Sequence, residues 1–229
     1  LMKKQGRTNN LHHKYSKEQL ERKALKILNE YENGKMLNKP SPLDVDEFAE
    51  FHLGLTIDFA NLSSDCLTLG CMCFYDGKLE VWDDNREHTH YIDVSQGTLY
   101  IDNQALAFCS KERTNFTIMH ECAHWILHKR FYFRSKKRLM RDRIIVYKSD
   151  DVKLKMTDDE VKEWQADYLA GALLMPKQMI NKYLEVNFGF KNNSNLKVEK
   201  YIVDELAKVF EVSKAAMMVR LKNLAIEVM

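Results

Sequence analysis

The spacing of apolar residues changes along the chain, and with it the expected structure. Leu20, Ala24, Ile27, Leu28 and Tyr31 recur at helical intervals behind Ser16, with Gln19 three residues after that serine. This is a capping-box pattern, so a helix is expected over 16–33 with Gly34 as its stop. Pro40 and Pro42 mark a turn, and Pro42 suits the first turn of a short helix through Phe51. The period then shortens. LTIDF (55–59), LGCMCFY (69–75), KLEVW (78–82) and TLYID (98–102) read as strands, and Asp76-Gly77 between the second and third predicts a tight hairpin. From Thr114 onward the pattern is helical, apart from a basic connection and the segment near 187–196. Strands followed by helices indicate an α+β fold. Residues 1–15 are polar and aperiodic, and are expected to be disordered.

Composition narrows the class. Apolar residues make up 45% and charged residues 30% of 229, as in ordinary soluble domains. No apolar run approaches the roughly 18 residues of a membrane span, and no apolar stretch near the start suggests a secretory signal. Five cysteines do not read as a disulfide framework, so a cytoplasmic location is expected. The net charge of +2 implies neither nucleic acid nor membrane as a partner. Basic residues do concentrate: ten Lys and Arg against four Glu in 1–40, and eight against Asp142 in 129–143. A solvated surface is the ordinary reading of both. Cys71 and Cys73 share a strand face and read as core residues.

The informative stretch is TNFTIMHECAHWILH (114–128), which contains His120, Glu121 and His124 as His-Glu-x-x-His. On a helix the two histidines lie about 40° apart, so both can reach one ion. Glu121 is offset by about 100° and about 60° from them, which suits a base acting on a water at the metal. The metzincin pattern fails, because His128 comes too early for its third histidine and no glycine precedes it. A carboxylate on a later helix is the alternative, and EWQADYLAGALLMP (163–176) supplies Glu163 with Asp167 one turn on. In gluzincin-like sites the Glu ligates zinc and the Asp accepts the N–H of a ligating histidine. Two histidines and one carboxylate make the open set of a catalytic zinc. His128 is expected to sit at the helix end and cap carbonyls.

Together the two blocks resemble the ImmA/IrrE family of cytoplasmic zinc metallopeptidases. Arg113, Phe116, Thr117, His120, Glu121, His124, Leu127 and His128 match the first family motif. Glu163, Ala166, Asp167, Ala170, Leu173, Leu174, Met175 and Pro176 match the second. The resemblance covers roughly residues 40–225. It implies His120, His124 and Glu163 as Zn2+ ligands, Glu121 as general base and Asp167 as the carboxylate behind a ligating histidine. The implied fold is a minimal zincin, a small antiparallel sheet on the active-site helices with helix-turn-helix-like helices beside it.

Three parts are expected: a basic N-terminal extension with one helix (1–39), a zincin-like core (40–190), and a C-terminal helical part packed on it (191–229). In that last part LAKVFEVSKAAMMVRL has helix-turn-helix periodicity, with Val212-Ser213 at the turn. Ala215, Ala216, Met217, Met218 and Val219 are poor readers of base edges, so packing is expected there and direct nucleic-acid binding is not. The resulting expectation is a zinc endopeptidase that uses a Glu-activated zinc-bound water. Its substrate would be a cytoplasmic regulator, and known relatives point to a helix-turn-helix repressor encoded nearby. The competing reading is a DNA-binding transcriptional regulator with a structural or vestigial zinc site, which would have no need of Glu121.

Overall fold

The computed structural model describes residues 14–134, 157–190 and 196–229. The disorder expected over 1–15 lies, but for its last two residues, outside the described residues. So does the basic 129–143 segment beyond Arg134.

Helix α1 (Lys17–Glu30) begins as expected, with Ser16 and Gln19 each accepting the other's backbone N–H. It ends at Glu30, before Gly34. Glu32, Asn33 and Gly34 take left-handed backbone angles in turn (φ 44°, 54° and 74°), which reverses the chain and buries Tyr31 and Met36. The next helix, α2 (Val45–Glu47), starts at Asp44 instead of Pro42, because the Asp44 carboxylate accepts the N–H of Glu47. It widens into a π-helical turn at Phe48–His52.

Strand β5 (Thr98–Asp102), buried along its whole length, is the centre of a three-stranded sheet. Strand β2 (Gly70–Met72) pairs with it antiparallel, and β1 (Thr56–Ala60) pairs parallel on its other side. The sheet is therefore mixed, where an antiparallel one was expected. The chain leaves β1 and returns only after β2 and a separate hairpin, so β5 arrives in the same direction as β1. The tight hairpin expected at Asp76-Gly77 does not form. The bonds of β2 go to β5, and Cys73 N–H to Thr98 O prolongs that ladder. Gly77 instead opens β3 (Gly77–Trp82), which pairs antiparallel with β4 (Thr89–Val94). The turn between those two is built on Asp83, whose carboxylate accepts the N–H of Glu87, with Arg86 left-handed at φ 57°. Pairing with a distant strand outweighed the local turn signal.

The helices that follow enclose one core. They are α3 (Asn103–Phe108), α4 (Lys111–Arg134), α5 (Asp158–Leu174), α6 (Lys177–Phe188), α7 (Lys200–Val209) and α8 (Lys214–Asn223). Two short strands, β6 (Lys197–Val198) and β7 (Glu227–Val228), pair parallel beside α7 and α8. Helix α5 is buried on nearly every side from Gln165 to Leu174, as befits a central helix. Helix α1 lays Leu20, Ala24 and Leu28 on it, α4 packs along another side, and Met217 and Leu221 of α8 close the far end. No helix among the described residues is long and apolar enough to cross a membrane.

Candidate metal centre

The site arises where α4 and α5 lie side by side. Helix α5 is anchored by a capping box in which Thr157 and Glu160 each accept the other's backbone N–H. Met119, Cys122 and Ala123 of α4 and Ala166, Leu169 and Ala170 of α5 are all buried in the core. The polar residues at 120, 121, 124 and 163 interrupt this apolar packing, so each needs a partner.

The partners are one another. One ligand atom each from His120, His124 and Glu163 lies within 4.8 Å of the other two. His120 Nε2 is 2.9 Å from His124 Nε2, and Glu163 Oε2 is 3.2 Å and 3.3 Å from those two nitrogens. Ligands about 2.0–2.1 Å from a tetrahedral ion stand about 3.3 Å apart, so the trio fits one face of a zinc coordination shell. Behind it, His120 Nδ1 donates to Asp167 Oδ1 at 2.8 Å, leaving Nε2 to face the trio. The Asp167 side chain is 54% exposed while Glu163 is only 14% exposed, so the centre opens towards solvent on the Asp167 side.

Charge is unevenly distributed here. Burial opposes protonation of His120, but hydrogen bonds to Asp167 and Glu163 and the charge of Glu121 win, raising it to about 10. Burial also opposes ionisation of Glu163, and the hydrogen bonds from His120 and His124 hold it well below the carboxylate range. Glu121 goes the other way. It is 2% exposed, and burial pushes its pKa up despite the nearby charges of His120 and His124.

Glu121 owes its place to a glycine on the sheet. A Cβ built on Gly70 of β2 would lie 2.8 Å from Glu121 Oε1, 3.0 Å from its Cγ and 3.0 Å from Thr117 Cγ2. The φ of Gly70 is not positive, so clearance alone calls for glycine there. The next position on the same face of the strand, Met72, hydrogen-bonds to the carboxylate through its backbone. Nothing about Gly70 in sequence distinguishes it from an ordinary strand glycine.

His128 is not a carbonyl cap. It is 1% exposed, with Nδ1 3.2 Å from His124 Nδ1 and Nε2 3.4 Å from Gln165 Oε1. Its burial, then the charge of His124, depress its pKa to about 3. Gln165, wholly buried, also passes unremarked in sequence, although a glutamine amid Ala166, Leu169 and Ala170 is a signal in itself. Cys73 and Cys122 are buried, Cys71 partly so, and all five thiols are free. In the C-terminal pair, Ser213 caps α8, while Met217 and Leu221 face the core and Met218 and Val219 face solvent.

The family model Peptidase M78, described as an IrrE N-terminal-like domain, matches residues 83–222. No curated protein matches the chain.

Proposed function

The chain belongs to the Peptidase M78 family of IrrE N-terminal-like domains and is a metallopeptidase, and on that premise we propose a zinc endopeptidase acting on a regulatory protein in the cytoplasm. The observation that carries it is the convergence of His120 Nε2, His124 Nε2 and Glu163 Oε2, with the buried Glu121 in electrostatic contact with both histidines. The donor set fits zinc. Two imidazoles and one carboxylate are borderline-soft, match a tetrahedral ion in spacing, and leave one position for water or substrate.

Zinc supplies Lewis acidity when bound, polarising the scissile carbonyl and acidifying water. The protein does the rest. Asp167 orients His120 through Nδ1, and the trio fixes where substrate can enter. Glu121 accepts the proton of the attacking water and delivers it to the departing amine. Its raised pKa moves it nearer neutrality, where a general base and acid in alternation works best. The reading as a DNA-binding regulator gains no support from α8, whose buried Met217 and Leu221 face the core.

Glu121→Gln is the decisive variant. It should keep zinc and fold while peptide cleavage drops by about 100-fold or more, and undiminished proteolysis would overturn the mechanism. For the substrate, a helix-turn-helix repressor encoded nearby is the first choice. Main-chain pairing at a strand edge gives affinity with little selectivity, so selectivity must come from surfaces outside the cleft. Co-expression with that repressor and mass spectrometry of its fragments should reveal one Glu121-dependent cut. Equal degradation of casein and repressor would refute the selectivity.

A further inference from the structure

A histidine ligates a metal through the lone pair of one nitrogen, so its other nitrogen must carry the proton. At His120 this is arranged by Asp167, since a carboxylate can only accept. Among the described residues no carboxylate lies at His124 Nδ1. What it has is His128, with the two Nδ1 atoms 3.2 Å apart. Two ring nitrogens at that distance share one proton, so one must donate and the other accept.

The choice is made at the far side of His128. Its Nε2 lies 3.4 Å from Gln165 Oε1, an amide oxygen that can only accept. His128 therefore carries its proton on Nε2, and its Nδ1 is the acceptor. His124 must then donate from Nδ1, so the one proton a metal would have to displace is the one its Nε2 shares with Glu163 Oε2. Both relay residues are sealed from solvent, at 1% and 0% exposure, so water does not compete for these bonds.

We propose that Gln165 and His128 are positioning residues, a neutral relay that locks His124 in the one tautomer able to ligate the metal. The inference rests on the metallopeptidase reading and extends it. The centre then has two unlike supports: a charged, half-exposed carboxylate behind His120 and an uncharged, buried amide–imidazole pair behind His124. The first favours proton transfer to and from its histidine, whereas the second fixes direction without adding charge.

The test uses the full chain with Zn2+ and a competing chromophoric chelator. Gln165→Met keeps the volume but removes the acceptor, and His128→Phe removes the relay. Each should weaken zinc affinity by roughly 10–100-fold, while Gln165→Glu, which keeps an acceptor at that place, should stay close to wild type. Gln165→Met leaves the His128 Nε2–H unpaired and should melt lower in excess chelator, so it is the retained zinc affinity of Gln165→Glu that separates positioning from packing. Nitrogen-15 NMR of His124 in chelated protein reads each ring nitrogen directly and should show Nδ1 protonated. Unaltered zinc affinity in both Gln165→Met and His128→Phe, or an unprotonated His124 Nδ1, overturns the relay alone. Wild-type protein that takes up no zinc would overturn the metal reading, and the relay with it.

Discussion

Two buried clusters of polar groups meet on α5 and follow opposite rules. Around the upper half of the helix, Glu163 and Asp167 join His120 and His124, with Glu121 close by. On the other side Arg220 of α8 reaches between α5 and α1. Its Nε donates to the Met175 carbonyl at 2.9 Å and its Nη2 to Glu21 Oε2 at 3.0 Å, with Nη1 on the other carboxylate oxygen. Tyr168 donates to the same carboxylate at 2.9 Å. In this second cluster one cation answers one anion and each donor has an acceptor. In the first, three carboxylates gather around two imidazoles. The two glutamates record the difference. Burial works against ionisation in both, yet Arg220 and Tyr168 hold Glu21 below its ordinary value, whereas Glu121 is left above it. A cluster that balances its own charges holds the fold together, and one that does not is built for a further charge.

That contrast can be broken most sharply with metal. Zinc at about 1,000 times its Kd should stabilise the protein by about 4 kcal/mol, seen as a melting temperature raised by roughly 8–16 °C. Glu163→Ala should lose this gain and Arg220→Met should keep it. An equal gain in both variants would erase the distinction. Arg220→Met itself should cost about 3 kcal/mol with or without zinc, because Glu21 loses its counter-charge. Adding Glu21→Leu should recover much of that loss, since removing both partners leaves no lone buried charge. A melting temperature unmoved by Arg220→Met would show that the cluster does not hold the helices.

Gly70→Ala should lower cleavage by roughly 10–100-fold, about 1.4–2.7 kcal/mol of barrier, because the new methyl would displace the Glu121 carboxylate. Zinc affinity should be retained, and full activity would show that the carboxylate adapts freely. Acidification gives the smallest effect. The folded pKa of Glu21 lies below its unfolded value, so its contribution is complete above the unfolded carboxylate pKa and is lost as pH falls through the folded one. Denaturant midpoints of chelated protein should fall with pH in that acid window, and less steeply for Glu21→Gln. Parallel curves for the two proteins would contradict this.

What sequence reveals of this molecule follows from distance along the chain. The residues at 120, 121 and 124 declare themselves through helical spacing, and Glu163 through the same kind of local pattern with Asp167. The cap at Ser16 is legible for that reason too. Pairings between remote segments are not. The parallel partner of β1 comes some forty residues later, past a turn signal that points elsewhere. Arg220 and Glu21 stand 199 residues apart, and neither residue alone says that it is buried with the other. Gly70 is silent for a similar reason, since it matters through an atom supplied by α4, while Gln165 signals its burial but not its partner on that helix.

The family match begins at residue 83, but the folding unit does not. Two of the three strands of the sheet, the glycine that admits Glu121, and the helix that supplies a carboxylate to Arg220 all lie upstream. A fragment cut to the matched span would strip β5 of both neighbours and uncover the side of α5 that α1 shields. Family chemistry and structural autonomy thus have different borders in this chain. A piece that keeps α1 on α5 has to include its cap, Ser16.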